Sequence, residues 1–298
     1  MDILIIGGMT ACAKSATAIN LAKVLNGEII SADSAQVYKG MDIGTAKIMP
    51  DEMQGIKHHL IDCIYPNEPY NVAIFKEQSK LIIDNILAKG KLPIICGGTG
   101  FYINALLYDN DFDGGQADLT LRAKLEELPA DELFNMLKTI DPESAILIPQ
   151  NNKKRVVRAI EFFKTTKTKI SAHNQLQKTL QPAYNTKIFV LSCERSIMYE
   201  RINKRVDIMM QKGLVNEVSE LLNTYSPTLT SMQAIGYKEI IHYLQGHCGL
   251  DEAVSAIKQG TRRFAKRQVT WFKHQLPQAH WVDIFAQEDI AKHICNML

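Results

Sequence analysis

Cysteine is sparse and scattered in this sequence. Cys12, Cys63, Cys96, Cys193, Cys248 and Cys295 are the only six in 298 residues, with no CxxC pair and no histidine partner at metal-ligand spacing. That absence excludes a zinc site of ordinary spacing and a disulfide framework, and leaves reduced thiols. No apolar run is long enough to span a bilayer. Asp2 stands where a secretory leader carries basic residues, and Gly7 and Gly8 interrupt the apolar opening. A cytoplasmic protein with no membrane association is therefore expected. Internal repeats and low-complexity tracts are also missing. With 46% apolar residues the chain is not disordered as a whole, and its length favours a large core divided between two units.

Net charge is scarce too, at +2, so only its distribution is informative. Between Asn151 and Ile170, Lys153, Lys154, Arg155, Arg158, Lys164, Lys167 and Lys169 face a single acid, Glu161, for a local balance of +6. Between Lys258 and Lys273, Lys258, Arg262, Arg263, Lys266, Arg267 and Lys273 face none, for another +6, which leaves the rest of the chain at about −10. A basic helix face is commonly no more than a solvated surface. Two such patches on an acidic body point instead to a polyanionic partner.

What is present is a rhythm. Short apolar runs at Ile3 to Ile6, Glu28 to Ser31, Leu92 to Cys96 and Lys187 to Leu191 alternate with helical patterns, which predicts a parallel sheet with helices on both faces and ligands at the carboxyl ends of its strands. Asn71 is placed to cap a helix with Phe75, Ile82 and Ile86 on one face and Gly90 at its end. Met198, Ile202, Val206 and Met209 mark a second amphipathic helix that stops near Gly213, and Trp281 to Phe285 reads as an edge strand. From 108 to 185 the rhythm breaks. This interval opens with DNDFDGG and continues with helical segments around Leu121 to Leu128 and Asp131 to Ile140, so it predicts an all-helical insertion in a core formed by 1–107 and 186–298.

Three motifs each follow a predicted strand: GGMTACAKS, SADSAQVYKGMDIGTAK and CGGTGFYI. The first has the order of a phosphate-binding loop, with backbone amides, a helix N-terminus, the Lys14 ammonium and the Ser15 hydroxyl, which can also ligate Mg²⁺ beside a diphosphate. It lacks the last glycine of the pattern G-x-x-x-x-G-K-[ST]: Ala13 stands there. If that position needs a left-handed backbone, alanine costs roughly 1–2 kcal/mol. The second motif sets Asp33 and Ser34 at a strand end, where Asp33 by itself reads as a helix cap or turn former. The third holds Thr99 in a glycine turn.

These segments, together with NNKKRVVRAIE, RINKRVDIMMQKGLVNEV, QAIGYKE and TRRFAKRQVTWFK, give a sequence that resembles the bacterial tRNA dimethylallyltransferases from Ile3 to about Lys273. The resemblance implies a phosphate-loop fold and transfer of a five-carbon prenyl group from dimethylallyl diphosphate to the exocyclic amine of the adenine beside the anticodon. It implies that Gly8, Met9, Thr10, Ala11, Cys12, Ala13, Lys14 and Ser15 hold the donor diphosphate with Mg²⁺, that Asp33 is the base, and that Lys14 and Thr99 assist the leaving group. It further implies tRNA contacts at Asp33, Ser34, Ala35, Gln36, Thr99, Arg122, Lys154, Arg155, Val156, Val157 and Arg158, on the anticodon stem-loop, with no obligate protein partner. Met9, Cys12 and Ala13 depart from the Pro, Ser and Gly usual in the family's loop, and Asn152 and Lys154 depart from the usual flanks of its basic strip. For Arg122 the alternative is an ion pair with Glu126, four residues on. The rival functions are a nucleotide kinase with Asp62 of HHLID as its metal-binding acid, an enzyme that prenylates free adenine nucleotides, and an RNA-binding protein with an inactive loop.

Overall fold

The computed structural model describes residues 1–110, 118–177 and 179–298. The described chain runs β1 (Ile3–Gly8), α1 (Lys14–Val24), β2 (Gly27–Ser31), β3 (His58–His59), α2 (Val72–Ala88), β4 (Leu92–Cys96) and α3 (Gly100–Leu107). It continues through α4 (Leu119–Glu127), α5 (Ala130–Ile140), α6 (Pro142–Leu147), α7 (Lys153–Thr166) and α8 (Ile170–Gln177). The final part comprises β5 (Thr186–Ser192), α9 (Arg195–Gln211), α10 (Leu214–Leu222), α11 (Tyr237–Leu244), α12 (Leu250–Gln275), β6 (His280–Asp283) and α13 (Ile290–Cys295).

Among the described residues one sheet forms, in the order β3-β2-β4-β1-β5-β6, and every pairing is parallel. This bears out the α/β fold read from the alternating runs. β1 is buried along its whole length, as a parallel strand covered on both faces must be. Leu4, Ile6, Leu21, Ile29, Ile94, Phe189 and Leu191 share the main core. A second cluster gathers Val37, Tyr38 and Met41 with Leu214, Tyr237 and Ile257.

Some expectations shift by a residue or two. In α2, capped by the Asn71 side chain on the amides of Ala73 and Ile74, Ile83 rather than Ile82 is buried with Phe75 and Ile86. The last strand is His280–Asp283, an edge strand parallel to β5. It stops where the Asp283 carboxylate accepts the Phe285 amide at 2.9 Å and turns the chain. β3 leaves no signal in the sequence, because two residues carry no periodicity. The HHLID segment that contains it ends in Asp62, whose carboxylate is tied to the buried Lys47 ammonium at 2.7 Å beside Asp42 at 2.6 Å.

The chain divides into two compact units, Met1–Leu106 with Tyr184–Leu298, and Leu107–Ala183. The smaller unit is helical, with a core of Leu125, Leu133, Leu137, Val156, Val157, Ala159 and Ile160. Asp141 caps α6 through the Ser144 amide and also accepts the Ser171 amide and hydroxyl, at 3.0 and 2.7 Å. Residues 111–115 of DNDFDGG lie outside the described residues.

Candidate active site

The three motifs end at the same edge of the sheet because β2, β4 and β1 are adjacent and parallel, with Ile6 in register with Cys96 and Ser31 with Cys96 on the other side. After β1 the chain turns at Gly8, whose φ of +136° and approach to the Leu191 carbonyl leave no room for a side chain. The loop then passes through two left-handed alanines, Ala11 (φ 64°) and Ala13 (φ 52°), before α1 begins at Lys14. The backbone at 13 is thus the one a glycine favours.

The loop is held from outside. The Thr10 amide donates to Gln268 Oε1 at 2.9 Å, Arg201 Nε to the Ala11 carbonyl at 2.7 Å, and Arg205 Nη1 to Thr10 Oγ1 at 3.2 Å. Lys14 Nζ folds back onto the Met9 carbonyl at 2.7 Å, and burial of its ammonium pulls the pKa below the usual lysine value. Burial, followed by the neighbouring Arg201 charge, likewise lowers Arg205. Two cations drawn from water in this way gain by meeting an anion. Cys12 Sγ lies 3.6 Å from Cys193 Sγ, and burial pushes the Cys12 thiol up to about 12.

Asp33 follows β2. Its Oδ1 accepts the amides of Ala35 (2.9 Å) and Gln36 (3.3 Å), so it shapes a turn with one oxygen and leaves the second for other partners. Thr99 Oγ1 accepts the Ser34 amide at 3.2 Å and lies 3.5 Å from Ser34 Oγ, which ties the glycine turn after β4 to the acidic turn after β2. Gln36 Nε2 donates to the carbonyls of Thr45 and Ala46. A cavity of about 520 Å³ brings together the loop from Thr10 to Ser15, Asp33 and Gln36, with Arg205, Lys47 and Gln268 also on its wall. Met9 offers this edge its carbonyl alone, since its side chain is buried in the core and lines a different cavity. Ser34, Ala35 and Thr99 stand beside the cavity rather than on its wall.

The residues expected on the smaller unit sort differently. Lys154 and Arg155 are exposed at the start of α7, and Lys153 Nζ donates to the Glu126 carbonyl at 2.6 Å. Val156 and Val157 are 0% and 2% exposed and belong to the core, so they are corrected from RNA-contacting to structural residues. Arg122 pairs with Glu161 of α7 at 2.6 Å, not with Glu126, and Arg158 shares the same buried carboxylate at 3.3 Å. In the second basic segment Lys258 is engaged by Asp207 and Arg262 by Asn203, while Arg263, Lys266 and Arg267 are exposed on α12.

Sequence reading missed Arg201, Arg205 and Gln268. The two arginines do share an i,i+4 spacing in RINKR, but nothing local says what their face of α9 meets. Gln268 carries no local signal beyond being a polar residue among apolar ones.

A parallel α/β sheet with a glycine turn, a lysine, an arginine and an acid around one cavity at its carboxyl edge has the architecture of a phosphate-loop protein. An IPP transferase family model matches residues 36–275, and an isopentenyl transferase model matches residues 1–68. The chain is 49% identical over 287 residues to the tRNA dimethylallyltransferase of Acetivibrio thermocellus, covering 95% of this chain and 91% of that one, and 51% identical over 278 residues to that of Lachnoclostridium phytofermentans, covering 92% and 89%. The full-length tRNA isopentenylpyrophosphate transferase of Bacillus halodurans superposes with a TM-score of 0.76 at 40% identity, covering 100% of this chain and 95% of that one. A eukaryotic dimethylallyltransferase acting on tRNA superposes at 0.86 and 28% identity, covering 98% and 77%. This chain belongs to the tRNA dimethylallyltransferase family: it is an enzyme of tRNA modification by prenyl transfer. No described helix is long and apolar enough to cross a membrane.

Proposed function

We propose that the chain transfers a dimethylallyl group from dimethylallyl diphosphate to the exocyclic amine of the adenine on the 3′ side of the anticodon, yielding isopentenyladenosine and diphosphate, in the cytoplasm where tRNA is matured. The observation that carries this reading is the meeting of an anion-binding loop and a carboxylate in one cavity. The exocyclic amine is a weak nucleophile because its lone pair is delocalised into the ring. The free Asp33 oxygen takes the amine proton as nitrogen bonds to the prenyl carbon, a contribution on the order of 10²- to 10⁴-fold. The carbon to bridging-oxygen bond breaks, and its electron pair leaves with the diphosphate. Lys14, Arg205 and the amides of the loop stabilise that developing charge, and Thr99 supports it from the adjoining turn.

No set of three or more His, Cys, Asp or Glu is gathered as a metal cage among the described residues. Mg²⁺ typically takes one or two protein ligands and completes its shell with phosphate and water, so the exposed Ser15 hydroxyl in the first turn of α1 fits it. Mg²⁺ held there with the diphosphate would add positive charge at the leaving group. The target adenine is stacked in its loop and is extruded to reach Asp33, with Ser34 to Gln36 receiving it. Lys154, Arg155, Arg122 and Arg158 contact the anticodon stem-loop backbone, which makes affinity strongly salt-dependent.

The test is incubation with labelled dimethylallyl diphosphate and Mg²⁺ with tRNA, AMP or ATP in turn. Label is expected in tRNA alone. Label in AMP or ATP would assign a free-nucleotide prenyltransferase, and none anywhere an inactive loop. Asp33→Asn should retain tRNA binding and lose turnover, and a rate within threefold of the parent would remove Asp33 as the base.

A further inference from the structure

The loop after β1 and the turn after β4 belong to different halves of the reaction proposed above, one gripping the donor and the other supporting the acidic turn. A single buried side chain bridges them. Gln268 of α12 is 6% exposed. Its Oε1 accepts the Thr10 amide at 2.9 Å, and its Nε2 donates to the Gly98 carbonyl at 3.0 Å. Both ends of one planar amide are therefore used, one on each turn, across more than 160 residues of sequence. The site is cut to admit it: a Cβ at Gly98 would collide with Gln268 Nε2.

Each end leads onward. The Thr10 hydroxyl accepts from Arg205, so Gln268 and Arg205 fix the same residue from its amide and its side chain. With its N–H committed to Gln268, Thr10 does not offer that group to a phosphate, and the anion-binding amides begin after it. On the other side Gly98 precedes Thr99, whose Oγ1 accepts the Ser34 amide next to Asp33. One chain of contacts thus links donor loop and base: Thr10, Gln268, Gly98, Thr99, Ser34. Backbone bonds from the Gly97 amide to the Ile6 carbonyl at 3.2 Å and from the Thr99 amide to the Ala32 carbonyl at 3.1 Å hold the turn after β4 to its neighbours, and Gln268 is the side chain that carries this link on to Thr10.

We infer that Gln268 is a positioning residue for prenyl transfer, holding the diphosphate loop and the Asp33 turn at the separation that in-line attack requires. It stands on the cavity wall and acts through Thr10 and the Gly98-Thr99 turn. The inference rests on the proposed roles of the loop and of Asp33. Misplacement of reacting groups by about 1 Å can cost on the order of 10²-fold in rate.

The experiment measures single-turnover prenyl transfer to tRNA, donor and tRNA dissociation constants, and thermal midpoints for the parent, Gln268→Met and Gln268→Glu. Gln268→Met keeps the volume and removes both hydrogen bonds. Its single-turnover rate should fall about 10- to 100-fold, with both dissociation constants within about threefold of the parent. Gln268→Glu supplies a separate readout if the methionine variant folds poorly. Ionised, it sets a carboxylate against the Gly98 carbonyl; protonated, it restores both a donor and an acceptor. The ratio of variant to parent rate should therefore climb as pH falls, and taking the ratio cancels pH effects common to both proteins from the charged and polar groups that share the cavity, Lys14, Arg205, Cys96 and Asp33. A structural role would leave that ratio flat. A flat ratio, or a folded Gln268→Met within threefold of the parent rate, would overturn the inference. Lys14→Ala run alongside separates the two readings: unchanged donor kinetics there would reject the donor-loop assignment itself, whatever Gln268 does.

Discussion

Ala13→Gly tests the loop by relaxing it. Ala13 sits at φ 52° and ψ 22° in the position preceding α1, with no side-chain cap. A left-handed backbone costs an L-residue roughly 1–2 kcal/mol, and alanine is also a poor residue at the start of a helix where glycine is acceptable. Glycine removes both penalties but gains freedom in the unfolded chain, which offsets about 0.4–1 kcal/mol. The balance is a stabilisation of about 0.5–1 kcal/mol. For a catalytic unit of this size that corresponds to a rise in melting temperature of about 1–4 °C. The Lys14 to Met9 hydrogen bond and the Arg201 clasp on Ala11 do not involve the Ala13 side chain, so donor affinity should hold or improve. Differential scanning calorimetry and a donor titration on parent and variant check both parts. A midpoint that falls would refute the strain argument. A donor affinity that drops more than threefold would show that the loop is built around the alanine methyl and uses it against the donor.

Other expectations follow from the same geometry. Lys14→Ala should raise the KM for dimethylallyl diphosphate far more than that for tRNA, and because burial holds the Lys14 pKa low, donor affinity should begin to weaken at a pH below the usual lysine range. Lys154→Ala with Arg155→Ala should lower the log-log salt slope of tRNA binding by about 0.7 to 0.9 for each phosphate no longer neutralised, whereas an unaltered slope would return α7 to a solvated face. Burial alone would raise the Glu28 carboxyl, but hydrogen bonds from His59 and Lys91, with the Lys91 and Lys89 charges, bring it down to about 2. Its stabilisation is therefore complete above the ordinary carboxyl value of 4.5 and disappears as pH falls towards 2, so Glu28→Gln should cost about 1–3 kcal/mol at pH 7 and flatten the acid side of the stability curve across that window.

Local signals carried much of the protein. Apolar runs bounded by turn residues determined the parallel strands, because a strand buried on both faces has to be apolar throughout. Glycine and lysine spacing suggested a phosphate loop once two further motifs converged on the same strand ends, and the left-handed backbone considered for position 13 is present at Ala13. The insertion was legible as a stretch where helical periods replace the strand rhythm. Tertiary structure decided which side chains meet. Arg122 pairs with Glu161 because α4 packs on α7, and no spacing within α4 encodes that partner. Val156 and Val157 sit in a basic segment yet face inward, since a helix that carries charge must still bury one stripe. Lys258 and Arg262 look free in a charge count and are engaged by α9. Arg205 and Gln268 reach Thr10 from 195 and 258 residues away. Periodicity and turn chemistry act over a few residues and can be read along a chain, whereas these pairings exist only after separate elements have packed, because the geometry that joins them is a property of the folded core.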